Sequence, residues 1–174
     1  MNESVLTLEE IEQKAIETEE IGGTGFLLQG GVNTELPFDY YMNMVSFIRD
    51  ECKLWVHGFS PAEIRHMSEI SGLSLDGALK ALKNAGLGSL PGGGAEMLVD
   101  SVRKKISPRK GSADEWLEVM ETAHSVGLHT TGTMMFGIAE TMEERVEHLS
   151  ALRNQQDRAL SRKNGGYYSN SLKH

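Results

Sequence analysis

The spacing of apolar residues is the feature that most constrains the fold. Short apolar runs typical of strands alternate along the chain with longer segments that have a helical period. Strands separated by helices form parallel βαβ units with right-handed crossovers. The sequence therefore predicts an α/β fold, either a barrel or a doubly wound sheet. The predicted strands are residues 24–28, 54–57, 87–90 and 130–136, and the predicted helices are residues 8–21, 39–49, 61–70, 75–84, 113–126 and 142–152.

Signals at the helix ends support this division. Gly22 and Gly23 follow the first predicted helix and are expected to end it. Ser74 precedes the helix predicted over 75–84, where a hydroxyl can cap the first turn, and Gly86 follows it. We therefore expect these helices to begin and end close to the predicted residues.

Unusual residues cluster in the turns that follow the predicted strands. The active sites of (βα) barrels collect at this end of the strands, so the clustering favours a barrel over a doubly wound sheet. The four turns are residues 29–31 (QGG), 57–60 (HGFS), 91–96 (PGGGAE) and 137–140 (GIAE).

The composition of these turns suits a polar ligand. Gly30, Gly31 and the triplet 92–94 leave backbone N–H and C=O groups open to close approach. Glu96 and Glu140 offer acceptors for ribose hydroxyls or an amino group. In the alternative interpretation the glycines serve tight turns and the glutamates stabilise the starts of helices. The sequence leaves both interpretations open.

A metal site is not predicted. His57 has no second histidine, cysteine or aspartate at ligand spacing, and a histidine at a strand end is often a hydrogen-bonded packing residue. The single cysteine, Cys52, excludes an internal disulfide and any multi-cysteine site made by this chain alone. The P-loop, GxSxG and HExxH motifs are absent from the sequence.

Net charge and hydropathy limit the kinds of partner that the protein is expected to bind. A net charge of −8 argues against binding to nucleic acid, which requires an excess of basic side chains. The short basic groups at 103–105 and 109–110 are either solvated surface or an anion site. No apolar run approaches the roughly 20 residues that span a bilayer, so no membrane association is expected. The N-terminus does not resemble a signal peptide, and we predict a cytoplasmic protein.

Several sequence blocks carry a resemblance that covers residues 6–157. The blocks are 28–33 (LQGGVN), 35–41 (ELPFDYY), 57–64 (HGFSPAEI), 71–75 (SGLSL), 89–100 (SLPGGGAEMLVD) and 133–141 (TMMFGIAET). They resemble the radical S-adenosylmethionine (SAM) enzymes of the futalosine route to menaquinone. The GGGAE form and residues 100–108 (DSVRKKISP) are most similar to the cyclases that make cyclic dehypoxanthine futalosine. Aminofutalosine synthases and FO synthase subunits share the surrounding blocks and remain alternatives.

The resemblance implies a partial (βα) barrel of the radical SAM type that uses SAM and a [4Fe-4S] cluster. It also implies a small nucleoside-type substrate, whose ribose loses a hydrogen to the 5′-deoxyadenosyl radical before the ring closes. The resemblance further implies that residues 29–31 receive the amino group of SAM, that Glu96 faces its ribose hydroxyls, and that residues 133–140 pass along the adenine. Thr133 and Met135 replace the Gly and Ile of the broader pattern. The implied cofactor-binding residues are Gln29, Gly30, Gly31, Gly93, Gly94, Glu96, Met135 and Gly137, and the implied substrate contacts are His57, Ser60 and Glu63.

Both ends of the chain depart from the family pattern. The family holds its cluster with a CxxxCxxC motif after the first strand, and this sequence begins at the helix expected to follow that loop. Residues 1–157 are therefore predicted to be a fragment containing the second to fifth βα units, and 158–174 a non-matching, disordered tail. We expect a fragment that is inactive alone, either a homo-oligomer or paired with a missing N-terminal segment. A noncatalytic remnant is the other alternative.

Overall fold

The computed structural model describes residues 5–108, 110–162 and 166–167, which form a parallel sheet with helices packed against one face. The elements follow one another as α1 (Leu8–Glu20), β1 (Gly25–Leu28), α2 (Phe38–Asp50), β2 (Trp55–Gly58), α3 (Pro61–Ser71), α4 (Leu75–Ala85), β3 (Leu87–Leu90), α5 (Asp100–Ile106), α6 (Ala113–Ser125), β4 (His129–Thr130), α7 (Met142–Ser161) and β5 (Gly166–Tyr167).

The order of the strands identifies the architecture. They lie in the order β1-β2-β3-β4-β5, and each pairs in parallel with the next. A doubly wound sheet reverses its order at a switch point, whereas consecutive strands of a barrel are neighbours. The predicted α/β fold is therefore confirmed as a partial (βα) barrel.

The two faces of the sheet differ in burial. Leu28, Val56 and Leu87 belong to the main hydrophobic core, so their face carries the helices. On the other face, which we call the open face, Leu27 is 63% exposed and Trp55 is 51% exposed. The prediction that residues 24–28 form a buried strand is wrong, because β1 lies at the edge of the sheet and only one of its faces is covered.

A bulge in β3 changes which side chains reach the open face. Val56 pairs with Leu87, but the next residue, His57, pairs with Ser89, so Gly88 is an extra residue. A Cβ atom added at Gly88 would lie 2.4 Å from the indole ring of Trp55. Glycine is therefore required at this position for the ring to lie against the strand.

The strand predicted over 130–136 is too long, because β4 contains only His129 and Thr130. The chain then turns toward the glycine-rich loop after β3. The Thr131 hydroxyl accepts a hydrogen bond from the Gly92 N–H (2.8 Å), and the Thr133 hydroxyl donates to the Gly92 carbonyl (2.6 Å). Side-chain bonds to the loop replace the ladder that a longer strand would form.

Two helices differ from the sequence-based expectation. The short helix α5 is not predicted, because its seven residues are too few to show a helical period. Helix α7 continues nine residues beyond Leu152, the predicted end, to Ser161. The predicted domain boundary between 157 and 158 falls inside this helix, and Gly166–Tyr167 of the predicted disordered tail pairs with β4. The other residues of that tail after 162 lie outside the described residues.

Candidate functional site

The loops that follow β1, β2 and β3 meet at one end of the sheet, because the carboxyl ends of parallel strands lie at the same edge. A cavity of about 610 Å³ lies between them. A Cβ atom added at Gly93 would lie 2.8 Å from Nε2 of Gln29. The loop after β1 and the loop after β3 are therefore close neighbours. The predicted site residues that line this cavity are Gln29, Gly31, Ser60, Glu63, Gly93 and Gly94.

The loop after β1 is held by a carboxylate from α3. The N–H groups of Gly30 and Gly31 donate to Oε1 of Glu63 at 3.0 and 3.1 Å. Gly31 has a φ of +81°, and a Cβ atom added to either glycine would meet no atom within 4 Å. The space beside this backbone is therefore open to a ligand.

Glu63 also begins α3. Its Oε2 accepts from the Ser60 N–H at 2.7 Å and from the Ser60 hydroxyl at 2.6 Å, and Glu63 and Ser60 together form a capping box. The carboxylate thus accepts four hydrogen bonds inside the protein and is only 3% exposed. Ser60 and Glu63 border the cavity, but their polar groups are engaged with each other. Their predicted contact with substrate stays a prediction.

The three glycines after β3 have different roles. A Cβ atom at Gly92 would lie 2.4 Å from the Thr131 carbonyl oxygen, so packing alone requires glycine there. The Gly93 carbonyl accepts from the indole N–H of Trp116 at 3.2 Å. Gly94 has a φ of +80°, and a Cβ atom at this position would meet nothing within 4 Å. Of these three glycines, only Gly94 combines a positive φ with open space at the cavity.

The side chain of Arg103 in α5 holds the loop after β3 through hydrogen bonds to its backbone. Its Nη1 donates to the carbonyls of Gly94 (3.0 Å) and Ala95 (2.5 Å), and Nε and Nη2 both donate to the Gly111 carbonyl. The side chain is buried, and desolvation lowers the pKa of the guanidinium. Neither sequence interpretation of residues 103–105 applies to Arg103. The sequence signal for its burial is the set of apolar neighbours Val99, Val102 and Ile106. Their spacing indicates that this segment packs against the protein.

Glu96 is partly buried and pairs with Lys110, which borders the cavity, whereas Glu96 itself is not among the residues that line it. The backbone of Glu96 has a φ of +47°, a conformation uncommon outside glycine. Its carbonyl accepts from the Met135 N–H at 2.7 Å. Met135 is therefore adjacent to Glu96, and the predicted contact of both residues with the cofactor stays a prediction.

The turn before α7 is closed on itself. The carboxylate of Glu140 accepts from the N–H groups of Gly137 (2.5 Å), Ile138 (3.0 Å) and Ala139 (3.1 Å), and it pairs with Arg145. These bonds, led by the Gly137 N–H, lower the pKa of Glu140 to about 2. The Gly137 N–H thus has a partner within its own turn. Glu140 therefore closes this turn, whereas the capping box at the start of α7 is made by Thr141 and Glu144.

His57 lies on the open face and is not among the residues that line the 610 Å³ cavity. Its Nδ1 is 2.7 Å from the Ser89 hydroxyl, which also accepts from the indole N–H of Trp55 at 3.0 Å. Burial lowers the pKa of His57, which favours the neutral ring. Since the Ser89 hydroxyl already accepts one hydrogen, its own hydrogen can point to Nδ1.

The described residues do not fit an iron–sulfur cluster. No group of three histidine, cysteine or acidic side chains among them could hold a metal ion. Cys52 is buried in the hydrophobic core, and desolvation raises the pKa of its thiol, which disfavours the thiolate that would bind iron. In the part of the chain that the structure describes, no helix is long and apolar enough to cross a membrane.

Comparison with known proteins identifies the family. Residues 2–152 match the Radical SAM superfamily. The chain belongs to the radical SAM superfamily. Members of this superfamily use SAM and a [4Fe-4S] cluster, so the resemblance stated from the sequence blocks is confirmed at this level.

Two kinds of relative are similar to this radical SAM chain. A cyclic dehypoxanthine futalosine synthase of Halalkalibacterium halodurans is 42% identical over 154 residues, which cover 88% of this chain and 42% of that protein. A 5-amino-6-(D-ribitylamino)uracil–L-tyrosine 4-hydroxyphenyl transferase of Archaeoglobus fulgidus is 44% identical over 146 residues, which cover 83% of this chain and 43% of that protein. The chain spans less than half the length of these relatives.

Proposed function

We propose that the described residues form the SAM-binding part of a radical SAM enzyme. The observation that carries this proposal is the convergence of three loops on one cavity, with open space beside Gly30, Gly31 and Gly94. In this proposal the loop 29–31 takes the amino group of SAM. The backbone of 133–140 passes along the adenine.

Glu96 is the proposed partner of the ribose. A carboxylate can accept hydrogen bonds from two neighbouring hydroxyls, and such charged bonds are stronger than neutral ones. Glu96 pairs with Lys110, so the diol competes with the ammonium group for this carboxylate. Arg103 keeps the preceding loop in place while this exchange occurs, because it binds the Gly94 and Ala95 carbonyls.

SAM in this superfamily supplies a 5′-deoxyadenosyl radical when a reduced cluster cleaves it. The described residues contain no set of cluster ligands, so the role proposed for them is to bind and orient SAM. Cleavage belongs to the assembled enzyme.

For the substrate, we propose dehypoxanthine futalosine and its cyclisation. The GGGAE form of residues 92–96 supports this proposal, as does the cyclic dehypoxanthine futalosine synthase at 42% identity. His57 and Ser60 are the proposed substrate-side residues, because one faces the open side of the sheet and the other borders the cavity. A tyrosine 4-hydroxyphenyl transferase is the second candidate, because the relative from Archaeoglobus fulgidus is equally similar.

Titration calorimetry of the chain with SAM tests the binding proposal. Glu96→Gln should weaken binding about tenfold, since a charged hydrogen-bond acceptor is lost. Glu147→Gln, an exposed carboxylate on α7, is the matched control and should bind like the unmodified chain. Failure of the unmodified chain to bind SAM would refute the proposal.

Saturation-transfer NMR separates the two substrates. The chain is mixed with dehypoxanthine futalosine or with 5-amino-6-(D-ribitylamino)uracil, both in the presence of SAM. Transfer to dehypoxanthine futalosine that is lost in His57→Ala supports the cyclase. Transfer to the ribityl compound alone would favour the transferase.

A further inference from the structure

Glu63 makes more hydrogen bonds than a capping box requires. In the boxes at the starts of α1 and α7, Glu10 accepts from the Thr7 N–H at 2.8 Å, and Glu144 accepts from the Thr141 N–H at 2.7 Å and from one distant group, the Ser101 hydroxyl, at 2.9 Å. Glu63 makes the equivalent bonds to Ser60 and also accepts from two amides more than 30 residues earlier in the chain. This second pair of bonds is not part of the capping box and instead joins the 29–31 loop to the start of α3.

The consequence follows from the geometry of the peptide bond. In a trans peptide the C=O of one residue points opposite to the N–H of the next residue. No cis peptide occurs among the described residues. Because the N–H groups of Gly30 and Gly31 both point to Glu63, the carbonyl oxygens of Gln29 and Gly30 point away from Glu63.

These two carbonyls lie in an exposed loop whose glycines carry no Cβ atom to shield them. The loop residues 29–31 are exposed, whereas the carboxylate that holds them is buried. Two neighbouring carbonyl oxygens on one side of a loop attract a group that donates several hydrogen bonds, and an ammonium group donates three. Glu63 itself has no direct part in such a contact, because both of its oxygens are engaged inside the protein.

We infer that Glu63 is a positioning residue that orients the 29–31 loop, so that the Gln29 and Gly30 carbonyls face an ammonium group of the ligand. The identity of the ligand rests on the proposed function, whereas the orientation of the loop does not. Glutamine cannot replace Glu63, because its NH₂ group would meet either the glycine amides or the Ser60 N–H, donor against donor.

Amide hydrogen exchange, followed by NMR, tests the orientation without any ligand. In Glu63→Gln the Gly30 and Gly31 amides should exchange about tenfold faster, while the amide of Met67 in α3 stays protected. Glu10→Gln removes a capping-box carboxylate that has no contact with this loop and should leave both glycine amides unchanged. Unchanged exchange at Gly30 and Gly31 in Glu63→Gln would overturn the inference.

Two probes test the ligand group. SAM carries an ammonium group, and 5′-methylthioadenosine shares its nucleoside but lacks that group. Glu63→Gln should weaken SAM binding about tenfold and leave 5′-methylthioadenosine binding within about twofold. Equal weakening of both probes would overturn the role in ammonium recognition. If the unmodified chain binds neither probe, the proposed function fails, and the exchange experiment still decides the orientation of the loop.

Discussion

At the scale of single residues, the pairing of Glu96 with Lys110 predicts that Lys110 competes with the ligand's hydroxyls for the Glu96 carboxylate. Lys110→Met removes the ammonium that the ligand's hydroxyls must displace, so 5′-methylthioadenosine should bind up to about fivefold more tightly, the range for a partly exposed ion pair. Titration calorimetry measures this change. Lys104→Met, which removes an exposed lysine of α5, is the control. Weaker binding in Lys110→Met would mean that Lys110 contacts the ligand itself.

His148 predicts a pH dependence of stability. This residue of α7 is fully buried, and its Nδ1 accepts from the Leu98 N–H at 2.9 Å. Burial, with a smaller contribution from Arg103, lowers the pKa of His148 to about 4. Between pH 6.5 and 4 the unfolded chain therefore binds a proton that the folded chain does not, and the free energy of unfolding falls as the pH is lowered.

The test replaces His148 with asparagine, whose carbonyl oxygen can still accept from Leu98. Urea unfolding of His148→Asn at pH 7 and pH 4 should show a smaller loss of stability than the unmodified chain, by about 3 kcal/mol at most. His129→Asn, at an exposed position, should keep the original dependence. An unchanged dependence in His148→Asn would mean that other groups determine it.

Single residues also show where sequence reasoning reaches its limit. The glycine-rich turns and Glu96 could be singled out as candidates because their composition is unusual and they follow predicted strands. Arg103 could not be assigned, because its partners are backbone carbonyls that any residue would supply. The bonds from Gly30 and Gly31 to Glu63 join residues more than 30 positions apart, and no local pattern indicates them.

At the scale of elements, periodicity and caps predicted most helices well. Ser74 caps α4 by accepting from the Gly77 N–H, and α4 ends at Gly86, as expected. The error at β4 has a physical cause. Residues 131–136 have the composition of a strand, but the threonine hydroxyls bond the loop after β3. Tertiary contacts thus override β propensity where the site is built.

The bulge in β3 gives a prediction for its glycine. Gly88→Ala places a methyl group against the rigid Trp55 ring and should lower the free energy of unfolding by about 1–3 kcal/mol. Gly30→Ala adds the same methyl group where no atom lies within 4 Å and should change stability by less than about 0.5 kcal/mol. Urea unfolding of the two variants provides the comparison. Similar losses in both would show that backbone entropy rather than the Trp55 contact dominates.

At the scale of the whole molecule, the open face and the free side of β1 predict association. Among the described strands β1 has a neighbour on one side only, and the adjacent Leu27 and Trp55 are more than half exposed. Unpaired strand edges and exposed apolar patches favour pairing with another chain. A second copy of this chain is the partner that we propose for this edge.

Analytical ultracentrifugation tests this association. The unmodified chain should show a weight-average mass that rises with concentration, and Leu27→Lys should reduce that rise by adding a charge to the patch. Leu73→Lys, at an exposed position between α3 and α4, should have no such effect. A purely monomeric unmodified chain would contradict the prediction.

The extra residue in β3 also changes which face of the sheet each later residue of the strand points to. With strict alternation, Ser89 would share a face with Leu87 and point into the helical layer, where its hydroxyl would lie among aliphatic groups. The insertion of Gly88 shifts the count by one, so that Ser89 meets His57 and Trp55 while Leu90 returns to the core. A single glycine thus lets one short strand place Leu87 and Leu90 in the hydrophobic core and the Ser89 hydroxyl on the opposite face, beside His57.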